Sequence, residues 1–92
     1  MKKNKLNRIN KLLEVPSEAF LQIPKLTNLG FNKMMIENYK NILEYQDFFI
    51  RINTTIGIIS INGINMKMEE MTKDDLIVEG EIESIDFEKI EM

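Results

Sequence analysis

The property of this chain that most limits what it can fold into is a period of two. Over residues 48–53 Phe48, Ile50 and Ile52 alternate with Arg51 and Asn53, and over residues 64–69 Ile64, Met66 and Met68 alternate with Asn65, Lys67 and Glu69. Successive side chains of a strand point to opposite faces, so this alternation marks strands with one buried side. Between the two runs lie Thr54-Thr55, the apolar run 56–61 and then Asn62-Gly63. Asn and Gly tolerate the positive φ that a type I′ turn demands at both central positions. The spacing therefore predicts a hairpin of strands 56–61 and 64–69 turned by Asn62 and Gly63.

The rest of the second half reads similarly. Residues 42–45 form a short run leading into Gln46-Asp47, and 71–75 form a polar connection. In the run 76–87, Leu76, Val78 and Ile82 share a parity with Gly80, whereas Ile85 and Phe87 take the other. That slip near Glu83-Ser84 predicts a bulge or a break. The stretches Ile61-Asn62-Gly63 and Val78-Glu79-Gly80 rhyme, each ending an apolar-polar pair on glycine. Two copies make no solenoid, and the plainer explanation is one turn or bulge per strand.

Toward the N-terminus the pattern changes. Leu6, Ile9, Leu12 and Leu13 recur at helical spacing, so residues 4–14 read as an amphipathic helix that Pro16 ends. Three turns are marginal alone, so this helix must lie against something. Residues 19–23 read as an edge strand before Pro24, and 33–39 as a strand after the Asn28-Leu29-Gly30 turn. In that strand Met34 and Ile36 share a face with Asn38, and Met35 and Tyr39 share the other with Glu37.

Composition narrows the function. With 92 residues there is room for one core, divided as a helical segment 1–15 and a β domain 16–92. The chain has no cysteine and no histidine. The usual zinc ligands, the thiolate nucleophile and the common general base are all missing, so no enzymatic activity, cofactor or small-molecule substrate is expected. No run approaches the roughly 18 apolar residues of a membrane span, and the basic start is not followed by a signal-peptide core. The expectation is a chain neither secreted nor membrane-spanning.

The net charge of −3 is unevenly spread: residues 1–40 sum to +5 and residues 41–92 to −8. An acidic second half argues against a nucleic-acid surface there. Lys2, Lys3, Lys5, Arg8 and Lys11 precede the first acid, Glu14. Lys5, Arg8 and Lys11 are candidate contacts to an anionic membrane or a partner, although the apolar stripe lacks aromatic anchors. The plainer explanation, which we prefer, packs the stripe on the sheet and leaves the cations in water. Glu79, Glu81 and Glu83 alternate along one strand and are candidates for receiving a basic partner; a charged edge that discourages sheet pairing has the same signature. Glu69, Glu70, Asp74 and Asp75 do not match a calcium loop and read as a solvated turn.

The ordered segments Ile36-Glu37-Asn38-Tyr39, Ile42-Leu43-Glu44-Tyr45, Phe49-Ile50-Arg51-Ile52, Gly57 to Gly63 and Met71 to Ile82, with Phe87, resemble the YabP/YqfC family of sporulation proteins. The preceding helix, Pro16 and the Leu29-Gly30 turn resemble its YqfC branch. That resemblance implies a small cytoplasmic protein of sporulating, endospore-forming bacteria, with no catalytic motif to carry over. It also implies a membrane-associated sporulation protein as partner, at or near the forespore membrane. Pattern and resemblance together predict a mainly β fold, either a small twisted antiparallel sheet or a compact β-sandwich, with one N-terminal amphipathic helix. The predicted role is protein–protein interaction; the alternatives are a peripheral membrane protein using its basic helix, and a homo-oligomer assembled through strand edges.

Overall fold

The computed structural model describes residues 22–89. The predicted helix 4–14 and most of the predicted strand 19–23 lie outside the described residues, and Ile23 sits in a bend. Six strands follow: β1 (Lys25–Leu29), β2 (Lys33–Glu37), β3 (Asn41–Gln46), β4 (Phe49–Asn53), β5 (Gly57–Glu70) and β6 (Asp75–Lys89). They form one antiparallel sheet in the order β1-β2-β6-β5-β4-β3. The mainly β expectation holds.

The predicted Asn62-Gly63 hairpin does not exist, because β5 runs unbroken through both residues and pairs with β6 along its length. Neither residue has positive φ. Gly63 instead meets a need for closeness: a Cβ there would fall on the Glu81 carbonyl oxygen and lie 2.8 Å from Met66 Sδ. The hairpin turn is at residues 71–74, where Met71 N–H donates to the Asp75 carbonyl at 2.9 Å and Thr72 Oγ1 donates to the Asp75 carboxylate at 2.9 Å. The first edge strand also differs from expectation. It begins one residue after Pro24, where proline's missing N–H costs the ladder nothing.

The β5–β6 hairpin is not straight. Its register shifts twice, with Glu83 extra on β6 between Ile82 and Ser84, and with Asn65 and Met66 on β5 facing Gly80. The parity slip at Glu83-Ser84 is therefore a bulge. The rhyming glycines, Gly63 and Gly80, stand at these two irregularities.

The connections show how far the hairpin bends. β2 ends beside Asp75 at the tip, and β3 begins beside Asn53, whose other neighbour is Ile58 near the base. Ile58 and Glu70 are twelve residues apart on β5, roughly 40 Å of straight strand. The link of three residues, 38–40, spans roughly 15 Å at most. The hairpin must fold over, and Asn38, with φ 63°, turns the chain across the gap. Tyr39 N–H then donates to Asp74 at 3.1 Å and Lys40 N–H to Asn53 at 2.8 Å, joining the two halves.

Folding the sheet brings its inner faces together. Met34, Ile36, Leu76, Val78 and Met66 from one half and Ile50, Ile52, Ile59 and Ile61 from the other form one buried cluster closed by Tyr39. Each buried aliphatic side chain contributes about 2 kcal/mol over its exposed state. Met66 is core, as its parity with Ile64 implied, but Ile64 is exposed because the bulge intervenes. Tyr39 is buried although its parity set it with Met35, because the left-handed Asn38 lies between them.

Candidate functional site

The predicted partner-binding residues lie on β6 but do not form one stripe. Glu79 and Glu81 are exposed on the outer face, and Glu79 lies opposite both Lys33 and Lys67, its carboxylate 3.2 Å from Lys33 Nζ. Beyond the bulge that face continues through Ser84, Asp86 and Glu88, since Ser84 is opposite Asn62 and Asp86 opposite Ser60. Glu83 is the residue the bulge inserts. Asn62 Nδ2 donates to Ser84 Oγ at 3.1 Å and to Asp86 Oδ2 at 3.3 Å. Arg51 approaches Glu88 at 3.7 Å with both side chains well exposed, a pair that contributes little in water. Among the described residues, Glu81, Glu83 and Asp86 have no ion-pair partner. Lys5, Arg8 and Lys11 lie outside the described residues.

Periodicity did not reveal what lies beside this strand. β2 pairs with β6 over Asp75 to Glu79, so from Ser84 to Lys89 the strand has β5 on one side and, among the described residues, no strand on the other. The β1–β2 turn closes against β6 at one point, where Asn32 O accepts from Gly80 N–H at 3.0 Å and Phe31 O from Ile82 N–H at 2.9 Å. Beyond that point an opening lies between residues of β1 and β6. Two hollows occupy the opening: one of about 200 Å³ bounded by Pro24, Leu26, Ile56, Ile59 and Phe87, and one of about 330 Å³ bounded by Asn28, Phe31, Ile82, Glu83 and Ile85. Phe87 is 67% exposed and Phe31 84%. The parity of Phe87 with Ile85, opposite Ile59 and Ile61, was the signal that it belongs to the inner face.

A shallower hollow lies at the folded-over end, bounded by Gln22, Asn38, Tyr39, Lys40, Thr55 and Asp74. Burial, and then the negative charge of Glu70, Asp74 and Asp75, push the Tyr39 phenol above its ordinary range near 10. Its hydroxyl stays protonated at neutral pH. Among the described residues no three acidic, cysteine or histidine side chains are grouped to hold a metal ion, and no helix is long and apolar enough to cross a membrane.

A single antiparallel sheet folded over one core, with an open seam between β1 and the distal half of β6, defines a small, mainly β domain among the described residues. Comparison with known proteins narrows that class. The chain belongs to the YabP family, whose family model matches residues 24–92. It is 24% identical over 85 residues to the uncharacterized protein YqfC of Bacillus subtilis (strain 168), covering 91% of each chain. No solved structure matches.

Proposed function

We propose that this chain is a non-enzymatic sporulation protein that works by binding a protein partner, through the acidic outer face of β6. Membership of the YabP family supports the setting, and the observation that carries the surface is the distribution of charge. β6 carries Glu79, Glu81, Glu83, Asp86 and Glu88, of which only Glu79 and Glu88 face a cation among the described residues. Such a strip stays solvated alone and attracts a basic surface, steering its approach and selecting against acidic ones. The partner in this reading is a membrane-associated sporulation protein, which places the chain in the cytoplasm of sporulating cells, at the forespore membrane when bound.

The test is affinity capture of tagged protein from sporulating cells after mild cross-linking and membrane solubilisation, comparing the wild type with the triple variant Glu79→Lys, Glu81→Lys, Glu83→Lys. The expected result is one membrane protein retained by the wild type and lost from the triple variant, whose circular dichroism is unchanged. Equal retention by both would remove the acidic face from the reading. The five cations of residues 1–11 favour a second reading, direct attachment to anionic lipid. Flotation of the full chain with anionic vesicles, weakened by salt, would be its mark.

A further inference from the structure

The two halves of the sheet are built alike and differ at one edge. β3 and β4 flank β5 as β1 and β2 flank β6: Ile50 and Ile52 stand opposite Ile61 and Ile59, and Met34 and Ile36 opposite Val78 and Leu76. In each half the turn carbonyls hold the long strand at its glycine. Phe48 O accepts from Gly63 N–H at 3.2 Å and Asp47 O from Met66 N–H at 2.7 Å, as Asn32 and Phe31 accept from Gly80 and Ile82. Further along β5, the N–H of Met68 donates to the Tyr45 hydroxyl at 3.0 Å. The matching stretch of β6, Ile85 to Lys89, has no such partner among the described residues.

We infer that this edge takes an added strand from a protein partner, an extended segment in which Lys or Arg alternates with apolar residues, paired antiparallel with residues 85–89. The inference rests on the basic partner proposed above and names how it is held.

The backbone points the right way. Gly63 N–H is directed to the β4 side, and so is the Gly57 carbonyl, which accepts from Thr54 N–H at 2.9 Å. Ile59 and Ile61 share that direction, and opposed residues of an antiparallel pair alternate between exchanging both bonds and none. Their opposites, Phe87 and Ile85, therefore turn N–H and C=O away from β5 and into the seam. These main-chain groups supply affinity to an added strand, and its side chains supply selectivity.

Side chains of the added strand would alternate in step with those of β6. Inward ones would enter an apolar trough walled by Leu26, Ile59 and Phe87. Outward ones would stand beside Ser84, Asp86 and Glu88. Asp86 has no ion-pair partner among the described residues, and Glu88 has only Arg51 at 3.7 Å. Opposite charges on adjacent strands stabilise and like charges oppose, which selects Lys or Arg. The same rule disfavours a second copy, since two β6 edges would bring their acids together.

Hydrogen exchange in the full-length 15N-labelled chain reads this edge amide by amide. Alone, Ser84, Asp86 and Glu88 should exchange slowly, and Ile85 and Phe87 fast. A blocked synthetic peptide alternating lysine with valine, at millimolar concentration, should slow Ile85 and Phe87 by about tenfold. N-methylation of its valines, which oppose Ile85 and Phe87, should abolish that protection, and N-methylation of its lysines should spare it. Equal effects of the two methylations would overturn the added strand, as would a peptide that fails to bind. Binding that leaves Ile85 and Phe87 fast would overturn it too, while leaving the acidic outer face as the partner's site. Equal protection by a glutamate-valine peptide would overturn the charge selection. Ile85 and Phe87 already slow in the protein alone would assign the edge to the chain itself, and slowing with protein concentration would assign it to a second copy; either overturns the inference. Affinity capture from cells tests the partner separately, so the two readings can fail independently.

Discussion

Gly80 and Gly30 both have positive φ, at 145° and 61°, yet their surroundings differ. At Gly80 an added Cβ would lie 2.7 Å from Met66 Cα and 2.8 Å from the Asn65 carbonyl oxygen, both backbone atoms of the opposing bulge that cannot step aside cheaply. At Gly30 nothing lies within 4 Å, so only the intrinsic cost of the left-handed region remains. Gly80→Ala should therefore destabilise the fold by about 3 kcal/mol, and Gly30→Ala by about 1 kcal/mol. Urea unfolding of the two variants measures the difference, and equal losses would mean that the close approach at the fold line is unimportant. Of the three residues marked as turns in the sequence, Asn62 and Gly63 turn nothing. A glycine selected for closeness and one selected for positive φ look identical in a sequence. Only the identity of the opposing strand, set by the whole topology, separates them.

At the scale of elements, alternation was a reliable guide wherever a strand had one dry face. Ile50 and Ile52, Met34 and Ile36, and Leu76 and Val78 all lie where their parity put them. It failed where geometry and not hydrophobicity decides. β1, with Lys25, Thr27 and Asn28 among its five residues, carries too weak a pattern to be seen, and is a strand because β2 pairs with it. The slip at Glu83 was legible because a bulge changes which parity faces the core. Its consequence is testable by deletion. Without Glu83, residues 84–89 would reverse face, turning Ser84, Asp86 and Glu88 inward and Ile85 and Phe87 out. Deletion of Glu83 should lower the thermal midpoint sharply or prevent folding, whereas Glu83→Ala, which keeps the extra residue, should change stability by no more than about 0.5 kcal/mol. Similar midpoints for the two would show that the backbone count at this position does not matter.

At the scale of the molecule, the sheet acts as two layers made from one surface, and no local pattern announces that. The seam between β1 and β6 exists because the hairpin folds at its bulges, so neither Phe31 nor Phe87 could be placed beside a trough from periodicity. Cooperativity follows from the same bend. β1 and β2 flank one end of the hairpin, β3 and β4 the other, and the halves are joined by the short link through Tyr39 and by the core residues they share. Separating them would expose Met34, Ile36, Ile50 and Ile52 at once, each wholly buried. At about 2 kcal/mol for each side chain, that exposure approaches the total stability of a domain this small, so neither half should persist alone. Residue-resolved urea titration is expected to give one midpoint for amides of β2 and of β4, in the manner of a two-state domain. An intermediate in which β3 and β4 keep their dispersion while β1 and β2 have lost it would mean that the layers fold separately and that the shared core contributes less than its burial indicates.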